Sequence, residues 1–470
     1  MRKSWVRLFG VIFILGIGAG AFSGNANQPF GLIKMIASGV QITGSEEIVF
    51  DWTTQKCSQD DIPDIPARAF RDNQNRVQLI DSHYINRRFI GSDLNNLIHD
   101  CTIIFNAHLN PDPSKYDDHE WLHSVYTLDG TTVYALIHNE YHGYLYDPNC
   151  TMGYNGCWQN SVTFAQSING GDSYSHTTPP NHLVASIPYQ YTANTGPVGV
   201  FNPGNIVYRA SDGYYYALLH LEQYQAQQVG TCVMRTNNLA DPTSWRAWNG
   251  TSYSVQFINP YLQPNEPPPN HVCQPVSFAQ IQKMHESLTF NTFFNRYLLV
   301  GQAGFYDASQ GKTIWGIYYS LSDDLINWTQ SKLLLEAEAV WTYQCSDPNP
   351  IAYPVLLDPN SSSRNFETTG QNVYLYYTKF NYQNCQMNLD RDLIRIPIQF
   401  NASDIPPNAP TNLIATGFAF NQINLAWQDN ATYEDGFKIE RKRPTGIYQQ
   451  IATVGPNVTG YSNHCQGSTV

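Results

Sequence analysis

The chain has 470 residues, 13% of them aromatic and only 14% charged, with a formal net charge of −12. An acidic chain lacks the basic face that nucleic acid or an anionic lipid surface requires, so both are excluded as partners. The length suffices for one large domain and a smaller one, and 31 tyrosines allow a large core with aromatic surface to spare.

At the N-terminus Arg2, Lys3 and Arg7 flank an apolar run at 8–17, followed by the small residues G-A-G-A-F-S-G-N-A. This order is that of a secretory signal peptide, expected over residues 1–26, and the run is too short for a comfortable membrane span. Its removal would leave a secreted protein, extracellular or periplasmic, with no membrane attachment. The nine cysteines fit an oxidising compartment. None forms a C-x-x-C pair, which disfavours a zinc site or a thioredoxin-like motif. Cys150 and Cys157 flank a Gly-containing loop and are the expected local disulfide; Cys232 with Cys273 and Cys345 with Cys385 are further pairings, and Cys465 is left over.

From there one unit recurs five times: a strand, a tight polar turn, and a second strand rich in Tyr, Leu and Val. The copies lie at 67–83, 123–141, 205–224, 287–305 and 353–380, with turns near Asn75, Gly130, Gly213, Asn295 and Gly370. Each reads as a β-hairpin. No long helical periodicity appears. The expected fold is therefore all-β, a five-bladed β-propeller over residues 45–401, with an irregular β-sandwich or two stacked sandwiches as the alternative.

Two stretches beyond the hairpins share a scheme of strand, polar turn, Leu and Trp: M-R-T-N-N-L-A-D-P-T-S-W at 234–245 and S-L-S-D-D-L-I-N-W-T at 320–329. Here the chain resembles the five-bladed propeller glycosidases, the superfamily of arabinanases, β-xylosidases and arabinofuranosidases, in which S-x-D-L-x-x-W-T recurs in outer strands. F-N-P-G-N-I-V-Y-R-A-S-D-G-Y-Y-Y-A-L at 201–218 resembles the entry of an inner strand in such blades. The resemblance covers about three quarters of the chain.

After a proline-rich linker at 402–408, residues 409–470 change character. P-T-N-L-I-A, the I-N-L-A-W strand with Trp427, and G-F-K-I-E-R resemble a partial fibronectin type III domain, a truncated immunoglobulin-like sandwich. About 65 residues fall short of that fold, and the tail N-H-C-Q-G-S-T-V is expected to carry no strand.

In a propeller the inner-strand starts and second-strand ends share one end of the axis. Inner-strand starts offer Asp61, Asp64 and Arg68; Asp117, Asp118, Glu120, Trp121 and His123; Asn202 and Asn205; His285 and Glu286; and Asp347 and Tyr353. Second-strand ends offer His83; His138, Glu140 and Tyr141 in H-N-E-Y-H-G; His220 and Glu222; Gln302; and Lys379. Glycosidic hydrolysis needs one carboxylic acid to protonate the leaving oxygen and one carboxylate to activate water or attack carbon. The family resemblance implies a base at the start of blade one, where Asp64 is nearest, a general acid at Glu286, and an acid that tunes it at Glu120, with Glu140 as an alternative acid. The matching position in blade three is Asn202 before Pro203, not an acid. Arg68, His83, His123, His138, Tyr141, Asn202, His220, Glu222, Gln302 and Lys379 are the expected substrate-binding residues. Arg68 suits a carboxylate or uronate, although the sialidase box S-x-D-x-G-x-T-W is absent. No G-x-S-x-G, H-E-x-x-H or phosphate-binding loop is present. No cofactor or catalytic metal is expected, a structural calcium ion being left open.

The reading is a secreted carbohydrate-active protein, a glycoside hydrolase on a polysaccharide or oligosaccharide and a monomer. The alternatives are a non-catalytic glycan- or ligand-binding propeller and an extracellular adhesion protein.

Overall fold

The computed structural model describes residues 5–9, 39–342, 349–401, 409–419, 422–430, 436–442 and 448–464. It divides into two compact units, 32–400 and a second made of 1–31 with 401–470.

The larger unit is a five-bladed β-propeller. Blade one is an antiparallel sheet of Arg68–Arg71, Val77–Ile80, Ile85–Gly91 and Leu97–Asn106. Blade two runs His119–Thr127, Val133–His142, Trp158–Ser167 and Leu183–Ala185. Blade three runs Val198–Pro203, Tyr214–Leu221, Gly230–Thr236 and Arg246–Trp248, with Tyr253–Val255 added outside. Blade four runs Ser287–Asn291, Arg296–Asp307, Lys312–Ser322 and Lys332–Glu336. Blade five takes Ile351–Leu357, Asn372–Phe380 and Arg391–Phe400, and its outer strands come from the other end of the unit: Val40–Ile42 and Glu47–Phe50 both pair with Arg391–Phe400. The propeller thus begins before residue 45, because this seam closes the ring.

The hairpin turns form for local reasons. Asp72 accepts the N–H groups of Gln74 and Arg76, both at 2.9 Å, and Asn75 takes φ 61°. Asp129 caps Thr131 and Thr132, and Gly130 takes φ 81°, a conformation a side chain disfavours. The outer-strand motif of blade four is such a turn too. Ser322 accepts the N–H of Leu325, Asp324 accepts those of Ile326 and Asn327, and Trp328 donates its indole N–H to the Leu325 carbonyl. Leu325 and Trp328 are buried, so the motif serves packing.

Each blade packs on the next. Phe70, Ile80 and Phe105 of blade one meet Leu122, Val125 and Ala135 of blade two. Leu136 and Val162 meet Val200 and Leu219 of blade three. Tyr216 and Leu218 meet Leu288 and Leu299 of blade four. Ser287 accepts the N–H of Leu356 in blade five, and Leu357, Tyr376 and Leu393 of that blade meet Leu79 and Phe89 of blade one.

Three disulfides join Cys57 to Cys101, Cys150 to Cys157 and Cys232 to Cys273. Cys385 is also disulfide-bonded, while its expected partner Cys345 lies outside the described residues, as does Asp347. No helix among the described residues is long and apolar enough to cross a membrane.

Among the described residues the smaller unit holds two three-stranded sheets. One is Thr411–Ala419, Gln422–Gln428 and Gly460–His464; the other is Trp5–Phe9, Phe437–Lys442 and Gln449–Val454. Leu425, Trp427, Phe437 and Ile439 form its buried core. One expectation changes here. The tail does carry a strand, since Asn463 and His464 pair with Ile423 and Gln422. Trp5–Phe9 pairs antiparallel with Phe437–Lys442, which pairs on its other side with Gln449–Val454. The apolar run at 10–17 and the linker at 402–408 lie outside the described residues.

Candidate functional site

The site is built on the alternation of blade two. In the strand Val133–His142, His138, Glu140 and His142 share one face, and Asn139 and Tyr141 share the other. One oxygen of Glu140 is 2.8 Å from His138 Nε2, the other 2.8 Å from His142 Nε2. Burial pushes the Glu140 carboxyl up, but these two hydrogen bonds overcome it and hold it at about 2. On the neighbouring strand Trp121 lies opposite His138, and its ring packs 5.6 Å from that imidazole. A β-bulge follows between Leu122 and Ser124, so His123 is the extra residue and is re-aimed.

Blade one supplies Asp64, whose N–H is tied to the Asp81 carbonyl at 2.8 Å. Its carboxylate accepts from Trp121 Nε1 and from the Tyr353 hydroxyl, both at 3.2 Å, and pairs with Arg391. His83 Nε2 lies 3.7 Å away. Asp64 thereby joins blades one, two and five. Burial pushes the Tyr353 hydroxyl well up, with Asp64 adding to it, so Tyr353 stays a donor. Burial holds His83 down against the pull of Asp64. His83, Tyr154 and Tyr353 each sense the charge of both Asp64 and Glu140.

Blade four supplies Glu286. It accepts the backbone N–H groups of His285 at 2.8 Å and Gln302 at 2.9 Å. Gly301 makes room for it, since a Cβ there would stand 2.2 Å from Glu286 Oε2. Arg68 is the link back to blade one. Its Nε donates to the His123 carbonyl at 2.9 Å, while both terminal nitrogens are buried without a hydrogen-bond partner. Burial lowers the guanidinium to about 9, and Glu286 counters that in part. His123 stands among Arg68, His138 and His285, and burial holds it neutral. A buried cation with two free donor groups, beside a carboxylate and three imidazoles, is shaped for a ligand with oxygen acceptors.

His220 and Glu222 of blade three form the next step outward. His220 Nε2 is 2.9 Å from Glu222 Oε1, and Lys283 Nζ is 2.6 Å from the same oxygen. Burial holds His220 down at about 4 despite Glu222, whereas in Glu222 His220 and Lys283 overcome burial and hold it at about 2. His220 stacks on Phe201 and lies 5.4 Å from His285. Around the opening, Tyr154 stacks on Trp158 at 4.7 Å, Tyr144 stands 5.4 Å from Tyr154, and Tyr84 lies against His83.

Several expected residues stand elsewhere. Glu120 is one residue out of phase with Trp121, so its carboxylate turns to His108 and His176 and not to the axis. Tyr141 is on the far face of its strand; its hydroxyl donates to the Pro111 carbonyl and its ring packs on Tyr191. Lys379 pairs with Glu46, on the opposite side of its strand from Phe380, which faces Tyr353 and Arg391. Gln302 touches the site through its backbone N–H, while its side-chain amide holds the Ile351 carbonyl. Asn202 is half-buried on the innermost strand of blade three, where the register shifts. Asp61 belongs to the interior of blade one, with His99 and Arg87. Asn205 clips blade three to the Leu288 backbone. Asp118 accepts from His119, Tyr146 and the His142 N–H; with His119 and His142 it forms a second group of metal-ligand type, in which His142 Nδ1 has no hydrogen-bond partner. Sequence reasoning missed Arg391 and Lys283, whose partners are 327 and 61 residues away.

No protein-family model and no curated protein matches the chain. Among solved structures it is similar to an α-L-arabinanase of Cellvibrio cellulosa complexed with arabinohexaose, with a TM-score of 0.40 and 11% identity over 79% of this chain and 96% of that one. An endo-arabinase of Bacteroides thetaiotaomicron gives 0.38 and 10%, over 72% and 95%. A β-fructofuranosidase of Bombyx mori in complex with sucrose gives 0.40 and 11%, over 86% and 83%.

Proposed function

We propose that the protein is a secreted glycoside hydrolase that cleaves a polysaccharide or oligosaccharide at the axial end of the propeller. What supports this reading is that Asp64 and Glu140 both act on Tyr154 and Tyr353, while Glu286 acts on the buried, unpartnered guanidinium of Arg68. Asp64, paired with Arg391, is the carboxylate that activates water or attacks the anomeric carbon. Glu286 is the proton donor to the leaving oxygen. Glu140, ionised down to about 2, cannot serve as an acid and instead places a fixed negative charge beside the developing oxocarbenium ion. Arg68 binds substrate oxygens, and Tyr154 and Trp158 stack on sugar faces. Disulfides support an oxidising, extracytoplasmic setting.

The test is hydrolysis of a panel of plant and bacterial polysaccharides and aryl glycosides by the parent, Glu286→Gln and Asp64→Asn. Turnover by the parent, reduced about 10²–10⁴-fold in each folded variant, is expected. The engagement of Asp64 by Arg391, Trp121 and Tyr353 together favours a second reading, a glycan-binding propeller without turnover. Retention of one glycan on an affinity gel with no turnover would establish it.

A further inference from the structure

Three side chains that this chemistry does not use meet at the seam of blades one and two. His108 follows Leu97–Asn106, Glu120 is on the innermost strand of blade two, and His176 is on the loop between Trp158–Ser167 and Leu183–Ala185. His108 Nδ1 is 2.6 Å from Glu120 Oε2 and 3.2 Å from His176 Nε2. His176 Nε2 is 3.6 Å from Glu120 Oε1. The Glu120 side chain is fully buried, and its Oε1 has no hydrogen-bond partner. His176 Nδ1 lies 2.8 Å from the Thr177 carbonyl. A carbonyl only accepts, so Nδ1 carries the proton and Nε2 turns its lone pair toward His108 and Glu120. Metal-ligating histidines are oriented in this way by a carbonyl on the far nitrogen. His182 stacks on His176 at 4.4 Å and fixes its plane.

We propose that His108, Glu120 and His176 bind a zinc-like divalent cation that fastens the interblade segment and the His176 loop to the innermost strand of blade two. Ligand atoms about 2.1 Å from a tetrahedral ion stand about 3.4 Å from one another. The two separations involving His176 already bracket that value. The shorter His108–Glu120 contact is a hydrogen bond that coordination would replace, and His108, half exposed, has room to move outward. Two imidazoles and one carboxylate suit zinc, with a fourth position left to water; calcium and magnesium prefer all-oxygen shells.

The test uses the full chain, stripped with chelator, dialysed against zinc and assayed for bound metal by mass spectrometry and for affinity by calorimetry. One zinc per chain and a higher Tm than the stripped protein are expected. His108→Ala, at a half-exposed position, and Glu120→Gln should keep the β circular-dichroism signature and weaken zinc at least about 10–100-fold, the loss typical of an outer-shell partner alone. Less than about a tenth of an equivalent in the parent would overturn the proposal. So would full zinc in His108→Ala with loss in His119→Ala, which would move the metal to the Asp118, His119 and His142 group.

Discussion

Glu140 concentrates the physics of the site in one side chain. Its folded value of about 2 lies below the ordinary 4.5, so the stability it contributes is full above 4.5 and is lost as the pH falls through about 2. A shift of that size is worth about 3 kcal/mol at neutral pH. Glu140→Gln should therefore lower the urea-denaturation free energy by about that amount at pH 7, and by only about half as much near pH 3. An equal loss at both values would mean that shape, not charge, holds the two imidazoles. Much of this residue's setting was legible. A period of two places His138, Glu140 and His142 together, and the same period explains why Tyr141 and Glu120 face away. The bulge at His123 and the pairing of Asp64 with Arg391 were not legible, because one is an irregularity of register and the other joins residues 327 apart.

Elements followed the sequence where their hydrogen bonds are local. The turns capped by Asp72, Asp129 and Asp324 are set within a few residues, so the hairpins could be read in order. The strand at Gly460–His464 could not, since only its partner Gln422–Gln428 selects it. Between these extremes stands the disulfide of Cys232 and Cys273. Cys232 is on the third strand of blade three, fully buried, and closes a loop with a sequence separation of 41. The same loop is held by Gln227, whose amide donates to the Cys273 carbonyl and accepts its N–H. Loop-closure entropy alone assigns the crosslink about 4 kcal/mol. Cys232→Ala/Cys273→Ala should lose about that much by chemical denaturation while keeping the blade's strands. A loss under about 1 kcal/mol would show that the Gln227 clamp already orders the loop.

For the whole molecule the decisive element is the seam. Repetition in the sequence announced five hairpins, but not that residues 40–50 would finish the fifth blade, because their partners lie some 350 positions downstream. Phe50 ends the outermost strand, opposite Leu393, and is 2% exposed in the cluster that joins blades five and one. Its ring packs 5.7 Å from Phe89 and 4.9 Å from His99. Truncation to Ala removes that packing at the one place where the ring is closed by noncontiguous chain, at an expected cost of about 3–5 kcal/mol. Contacts this distant in sequence form late, after the loop-closure entropy of the intervening blades has been met. The cost of Phe50→Ala should therefore appear mainly as faster unfolding, with refolding nearly unchanged. Stopped-flow rates in urea read both limbs. A variant that refolds slowly but unfolds at the parental rate would place the seam in the folding nucleus and reverse this order of assembly.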